Sequence, residues 1–195
     1  LASYLLYNQL MIYKWNKDSV RFYYNKLASN VQNSRWGKEI KKWLDGIIPI
    51  GSIFPNIQGV NNYAKIIATD NLLENDNYTL LIFWASWCAP CRQLIPAYLK
   101  IYKKYHVKGL KFIAITLDTD KDKWLTAIKK DNISNWKHIY SDKTRLDFLN
   151  DYGLSSIPAE ILLKGNKVIA KYAGADEERT DIEDLENKLK EIFND

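Results

Sequence analysis

Residues 80–92 of this 195-residue chain read LLIFWASWCAPCR, and this stretch decides the fold. Its first five residues are apolar without interruption, which is typical of a strand buried on both faces. Apolar side chains at helical spacing follow at Leu94, Ala97, Tyr98, Ile101 and Tyr105. Residues 89–105 are therefore predicted to form a helix. A buried strand thus runs directly into a C-x-x-C sequence at the start of a helix.

The position of Cys88 favours a reactive thiol. At the first turn of a helix, free backbone N–H groups and the helix dipole stabilise a thiolate and lower the pKa of the thiol. Cys91 lies one turn further along, within disulfide reach of Cys88. The first sulfur can attack a partner disulfide, and the second can resolve the mixed disulfide. Pro90 suits a first helical turn, which needs no backbone donor there, and Arg92 adds positive charge.

The cysteine and histidine counts argue against two other kinds of site. Cys88 and Cys91 are the only cysteines, whereas a disulfide-rich scaffold needs more. A structural zinc site needs four ligands, and the two histidines, His106 and His138, match no zinc-finger spacing. We therefore expect no metal site. Thiol–disulfide exchange at Cys88 and Cys91 would need no metal or organic cofactor either, because the cysteine pair is itself the redox carrier.

The remaining pattern predicts an α/β fold with a central mixed sheet and helices on both faces. Paired strands are predicted at 53–60 and 63–68 around Asn61-Asn62, and at 159–163 and 167–172 around Gly165-Asn166. Further strands are predicted at 112–117 and 136–140, and helices at 121–130, at 144–152 and from the acidic stretch 176–184 onward. The first strand pair is an N-terminal β-hairpin extension of the sheet.

The first quarter of the chain differs from the rest in charge. Residues 1–45 contain 8 Lys or Arg and 3 Asp or Glu, which leaves 20 of each kind for residues 46–195. Three apolar helical faces predict helices in this first quarter, the second with an N-cap at Asp18 or Ser19. We expect a helical N-terminal appendage at 1–48 and a redox domain at 49–195. The neutral redox domain argues against nucleic-acid binding, and no apolar stretch is long enough to span a membrane.

Several motifs in order along the chain resemble the thioredoxin superfamily, and most closely its extracytoplasmic TlpA/ResA-type bacterial thiol–disulfide oxidoreductases. The segment 83–92 is similar to the active-site segment of that family. Asp118 matches the end of the strand that follows, and Ile157-Pro158 matches the cis-proline that faces the disulfide and binds substrate backbone. The resemblance covers about residues 50–193 and implies a thioredoxin-like fold preceded by a small helical segment.

The resemblance implies a protein thiol–disulfide oxidoreductase in which Cys88 reacts first, Cys91 resolves and Pro158 positions the partner chain. Substrate contacts are expected from Trp87, Ala89, Pro90 and Ile157. The expected partners are protein disulfides or dithiols and a thiol electron donor, and the expected direction is reduction of disulfides in extracytoplasmic proteins.

The resemblance also implies a location in the periplasm or cell envelope. The chain starts at Leu1, which we interpret as the start of a fragment of a longer envelope protein. Tethering to the membrane through a lipoprotein signal in the missing N-terminal part is one expectation of this interpretation.

Two positions depart from the family and raise the question of how Cys91 loses its proton. Thioredoxins have a buried acid six residues before the first cysteine, where this chain has Ile82. ResA-type proteins have a glutamate three residues after the second cysteine, where this chain has Leu94. We hypothesise that Glu160, on the strand beside that of Ile82, replaces both as a buried acid with a raised pKa. The alternative is a solvated glutamate at the edge of the sheet.

Two other functions remain as alternatives. A thiol-dependent peroxidase has the same fold, but its peroxide pocket uses a proline and a threonine upstream of the reactive cysteine, where residues 84–87 are Trp, Ala, Ser and Trp. The other alternative is a thioredoxin-fold binding module of an envelope complex that performs no turnover. The missing acids favour this module, whereas the C-x-x-C sequence and Ile157-Pro158 argue against it.

Overall fold

The computed structural model describes residues 17–45, 48–154, 156–173 and 180–195. The chain forms two compact units, Leu1–Pro49 and Ile50–Asp195. The first predicted helical face, at residues 4–11, lies outside the described residues.

The described part of the N-terminal unit contains helices α1 (Lys17–Asn25), α2 (Ser29–Gln32) and α3 (Arg35–Asp45). A small core joins them, made of Val20, Tyr24, Leu27, Ile40 and Leu44. The predicted N-cap is wrong, because Asp18 and Ser19 lie inside α1 rather than before it. The apolar spacing identifies the buried face of this helix but does not identify the residues that precede it.

The described part of the second unit contains seven strands and four α-helices. The strands are β1 (Gln58–Val60), β2 (Ile66–Ala68), β3 (Tyr78–Trp84), β4 (Lys111–Thr116), β5 (Lys137–Tyr140), β6 (Ala159–Lys164) and β7 (Lys167–Ala173). The helices are α4 (Ala89–Tyr105), α5 (Lys121–Lys130), α6 (Arg145–Tyr152) and α7 (Thr180–Phe193). The strand order is β2-β1-β5-β4-β3-β6-β7, with β3, β4 and β5 parallel and the other pairs antiparallel. The predicted mixed sheet is confirmed.

Side-chain alternation shows which helices cover each face of the sheet. Ile82 on β3 lies opposite Glu160 on β6, so both point to one face, while Phe83 points to the other. Helix α4 covers the Ile82 face, because its Tyr98 hydrogen-bonds Glu160. Helix α6 covers the opposite face, because the ring of its Phe148 packs edge-on against Phe83. The prediction of helices on both faces is therefore confirmed.

The two hairpins differ in how closely they follow the sequence pattern. Gly165-Asn166 forms the predicted two-residue loop between β6 and β7, with Gly165 at φ 56°. The loop between β1 and β2 is longer than predicted and spans residues 61–65. Asn61 Oδ1 accepts hydrogen bonds from the backbone N–H groups of Tyr63 (2.9 Å) and Lys65 (3.0 Å). This side chain therefore organises a five-residue loop where a two-residue turn was predicted.

His138 is a buried histidine on the Ile82 face of the sheet. Its Nε2 donates to the backbone carbonyl of Ile133 at 2.8 Å, and its ring lies 6.3 Å from that of Trp124, edge to face. Burial lowers the pKa of His138 to about 4, although the hydrogen bond to Ile133 acts in the opposite direction. The imidazole is therefore neutral in the folded protein at neutral pH.

We expect the contribution of His138 to the free energy of unfolding to fall as the pH falls from 6.5 towards 4. In that interval the unfolded chain binds a proton at this residue and the folded chain does not. His138→Gln keeps a donor for the Ile133 carbonyl and cannot titrate. Denaturant unfolding at pH 7 and at pH 4.5 measures this effect. Between these two pH values, the free energy of unfolding should fall by about 2 kcal/mol more in the wild type than in the variant. Equal losses in the two proteins would contradict the prediction.

Candidate active site

The two cysteines lie where β3 passes into the helix α4. Cys88 is the N-cap residue of α4, which begins at Ala89. Cys88 and Cys91 form a disulfide, with their Cα atoms 5.3 Å apart. The backbone N–H of Cys91 donates to Cys88 Sγ at 3.2 Å. A helix N–H group therefore reaches the first sulfur, which is the arrangement that stabilises a thiolate.

The loop that contains Pro158 lies against the first cysteine. The Ile157-Pro158 peptide bond is cis, and Ile157 O lies 3.8 Å from Cys88 Sγ. Cys88 is only 4% exposed, whereas Trp87 is 59% exposed. Among the other residues expected to contact substrate, Ala89 and Pro90 are exposed and Ile157 is half-buried. Trp87, Ala89 and Pro90 are therefore exposed next to the disulfide, and the backbone of Ile157 contacts it.

A buried carboxylate holds the loop that precedes Cys88. Asp118 follows β4 and is 4% exposed. Its Oδ2 accepts from the Ser86 N–H at 2.8 Å, and its Oδ1 accepts from Ser86 Oγ at 2.6 Å. Thr116 Oγ1 also donates to Oδ2, at 2.6 Å. Three donors therefore fix the Asp118 carboxylate and, through Ser86, the backbone two residues before Cys88.

Arg92 does not present an unpaired charge to the cysteines. Its Nε and Nη2 donate to the two carboxylate oxygens of Asp131 at 2.8 and 2.6 Å, and this pairing raises the pKa of the guanidinium. Such a bidentate pair is the strong form of an Arg–carboxylate contact. The positive charge predicted beside the C-x-x-C sequence is therefore largely balanced.

Glu160 lies beside Ile82, on the face of the sheet that α4 covers. It is 2% exposed, so the alternative of a solvated edge glutamate is wrong. The Tyr98 hydroxyl donates to its Oε1. Burial raises the pKa of Glu160 to about 7; the hydrogen bond from Tyr98 acts to lower it, and the charge of Asp181 acts to raise it. This carboxyl can therefore gain or lose a proton near neutral pH.

A small cavity borders Glu160 on the side of β6 and β7. Its volume is about 50 Å³, and its walls include Tyr152, Leu154, Ser156 and Tyr172. A space of this size with polar groups in its walls can hold water. Glu160 therefore lies at the wall of a cavity that is large enough for a water molecule.

Metal-binding clusters and membrane-spanning helices are both absent from the described parts of the chain. Those parts contain no cluster of three or more His, Cys, Asp or Glu side chains that could hold a metal ion. Within the same residues, no helix combines the length and the apolar character that crossing a membrane requires.

The sequence is similar to known thioredoxin-like proteins. A family model described as Thioredoxin-like matches residues 75–169. The thiol-disulfide oxidoreductase ResA of Bacillus thuringiensis (strain Al Hakam) is 32% identical over 150 residues, which cover 73% of this chain and 78% of that protein. A thioredoxin of Chlorobaculum thiosulfatiphilum is 29% identical over 104 residues, which cover 53% of this chain and 72% of that protein.

Solved structures of similar proteins have the same fold. A thiol:disulfide interchange protein from Bacteroides sp. aligns with a TM-score of 0.64 and 26% identity, over 77% of this chain and 93% of that one. The thioredoxin domain of a thiol-disulfide oxidoreductase from Bacteroides vulgatus aligns with a TM-score of 0.61 and 26% identity, over 73% of this chain and 98% of that one. The predicted fold and the predicted enzyme class are both confirmed. The chain belongs to the thioredoxin-like family, within its ResA-type thiol–disulfide oxidoreductases.

Proposed function

We propose that this enzyme reduces disulfide bonds in extracytoplasmic proteins, with Cys88 as the attacking thiol and Cys91 as the resolving thiol. The observation that carries the proposal is the position of Cys88, which caps α4 and lies beside the Ile157-Pro158 loop. A thiolate at this position is stabilised by the helix end and is adjacent to the exposed residues Trp87, Ala89 and Pro90.

The reaction consists of two exchange steps. The Cys88 thiolate attacks one sulfur of the partner disulfide, so that a mixed disulfide forms and the other partner sulfur leaves as a thiolate. The Cys91 thiolate then attacks Cys88 Sγ, which releases the second partner sulfur and forms the Cys88–Cys91 disulfide. Two electrons and two protons pass to the partner, and an external thiol donor restores the enzyme.

The charges near the cysteines support a role of the enzyme as a reductant of partner disulfides. A cysteine pair is a strong oxidant when its thiolate is strongly stabilised, since this favours the reduced form. Here the guanidinium of Arg92 is balanced by Asp131. The paired Arg92 therefore adds little stabilisation to a Cys88 thiolate, which is left with the helix end as its main support. A thiolate that is only moderately stabilised favours the disulfide form of the enzyme more than that of a strong oxidant.

The reduction potential of the Cys88–Cys91 pair tests whether electrons pass from the enzyme to its partner. After equilibration with glutathione buffers, we expect a value nearer that of thioredoxin, about −270 mV, than that of a strong periplasmic oxidant, about −120 mV. Reduction of insulin by the enzyme with a dithiol donor tests turnover. A potential near the oxidant value would reverse the proposed direction, and a protein that binds partners without reducing insulin would be a binding module.

We infer an envelope location for the same reaction, supported by the similarity to ResA and by the motifs of the extracytoplasmic family. The partners of this proposal are protein disulfides and a thiol donor. The chemistry is assigned to the redox domain at 49–195, and no role in it is assigned to the helical appendage at 1–48.

Glu160 is our candidate for the group that accepts the proton of Cys91 before resolution. It occupies the position opposite Ile82, where the family's buried acid is missing, and its carboxyl is within the range of proton exchange at neutral pH. It also lines a cavity that is large enough for a water molecule.

We expect Glu160→Gln to slow disulfide exchange by up to roughly a hundredfold at neutral pH. The wild-type rate should rise with pH through about 7, where Glu160 becomes ionised, and the variant should lack this rise. Stopped-flow tryptophan fluorescence with oxidised glutathione between pH 5 and 9 measures the exchange rate and its pH dependence. Glu183→Gln, which removes an exposed carboxylate on α7, is the matched control. Identical profiles for Glu160→Gln and the wild type would remove Glu160 from the mechanism.

A further inference from the structure

Tyr98 contacts Glu160 from the same helix that carries Cys91. It lies seven residues after Cys91 and therefore about two turns further along the same face of α4. The side chains of Tyr98 and Glu160 are both buried, with 1% and 2% of their surface exposed. The Tyr98 hydroxyl donates to Glu160 Oε1. One hydrogen bond thus joins the redox helix to β6, the strand that follows Pro158.

Several polar groups face Glu160 or share its cavity. Within the described residues these are Tyr98 from α4, Tyr152 from α6, Lys171 and Tyr172 from β7, and Asp181 from α7. Burial and the negative charge of Asp181 both favour the neutral carboxyl. The hydroxyl of Tyr98 acts in the opposite direction, because a donor binds a carboxylate more strongly than a neutral acid.

We propose that Tyr98 is a positioning residue for disulfide exchange: its hydroxyl orients the Glu160 carboxyl and sets the pH range in which that carboxyl accepts the proton of Cys91. The proposal rests on the proposed role of Glu160. Tyr98 itself carries no proton between the two groups. Burial, followed by the charge of Glu160, raises the pKa of the phenol well above its usual value, so it remains a donor throughout the working range.

Removal of the Tyr98 hydroxyl should make the Glu160 carboxyl harder to ionise. Without the Tyr98 hydroxyl, the ionised carboxylate loses its charge-assisted hydrogen bond while burial and Asp181 still oppose ionisation. The pH at which Glu160 loses its proton should therefore rise, by roughly one pH unit. The rate reached above that pH should change little, because the carboxylate is still formed there.

The test is Tyr98→Phe, which keeps the ring that packs edge-on against Trp136. We expect the rise of the exchange rate with oxidised glutathione to move upward by roughly one pH unit. In the Glu160→Gln background, the same substitution should leave the profile unchanged. Tyr102→Phe is the matched control, because it removes a hydroxyl of α4 that donates to Asn135 O at 3.3 Å instead. That variant should follow the wild type.

A spectroscopic readout makes the test independent of turnover. Difference infrared spectra recorded during a pH titration follow the C=O band of a protonated buried carboxyl, and Glu160→Gln identifies that band. In Tyr98→Phe the band should persist to higher pH than in the wild type. An unshifted band, or a rate shift that persists in the Glu160→Gln background, would overturn the role of Tyr98 alone. A wild-type profile that Glu160→Gln does not alter would overturn the role of Glu160 and, with it, that of Tyr98.

Discussion

Replacing Cys88 with serine is expected to abolish disulfide reduction, with a loss of roughly a thousandfold or more in the insulin assay. A serine hydroxyl is not ionised at neutral pH and cannot form the mixed disulfide, so neither exchange step can begin. The N-cap position accepts serine well, so the helix should form normally. A loss of activity, with unfolding unchanged from that of the reduced wild type, would therefore report chemistry rather than stability.

Replacing Cys91 with serine should instead stop the reaction halfway. Cys88 can still attack, but the mixed disulfide has no resolving thiol, so a covalent adduct with the partner should accumulate. Mass spectrometry without reductant detects this adduct, and Cys88→Ser is its negative control. An adduct that forms through Cys91 in the Cys88→Ser protein would reverse the roles assigned to the two sulfurs.

Asp118→Ala is expected to lower the free energy of unfolding by about 3 kcal/mol. The substitution leaves the N–H and hydroxyl of Ser86 and the hydroxyl of Thr116 without the acceptor that they share. Each is a hydrogen bond to a charged group in a buried site, and the cost of an unpaired donor there exceeds that of an exposed one. Disulfide exchange should also slow, because the loop that sets Cys88 loses its anchor.

Denaturant unfolding measures the effect of this substitution, and Asp142→Ala is its matched control. Asp142 is an exposed aspartate in the loop after β5. Its replacement should change the free energy of unfolding by no more than about 0.5 kcal/mol. Equal effects of the two substitutions would show that the Asp118 contacts contribute nothing to stability.

The sequence predicted the fold to within a few residues at most element ends, because each buried element has its own periodicity. The apolar run at 80–84 and the helical spacing at 89–105 correspond to β3 and α4. In the first hairpin a side chain, rather than periodicity, sets the boundary, because Asn61 Oδ1 accepts hydrogen bonds from two backbone N–H groups of a longer loop. In α1 the apolar face did not reveal that Asp18 and Ser19 lie inside the helix.

The candidate site was predicted where its residues are neighbours in sequence or in strand register, and missed where they are not. Cys88 and Cys91 follow from spacing, and the burial of Glu160 follows from its place beside Ile82. Three contacts join residues that are far apart: Ser86 with Asp118 by 32 positions, Arg92 with Asp131 by 39, and Tyr98 with Glu160 by 62. Periodicity indicates that such side chains are buried but does not identify their partners.

Glu160 and His138 lie on the same face of the sheet, and their pKa shifts have opposite effects on the stability of the fold at acid pH. Between pH 4.5 and 6.5 the folded chain keeps a proton on Glu160 that the unfolded chain releases, since the pKa is about 7 in the fold and 4.5 outside it. Over the same interval the unfolded chain binds a proton at His138 that the folded chain rejects. When the chain unfolds in this pH range, Glu160 releases a proton and His138 binds one. The net proton uptake from these two residues is therefore close to zero. A buried carboxyl with a raised pKa and an imidazole held neutral in the core thus compensate each other as the medium acidifies.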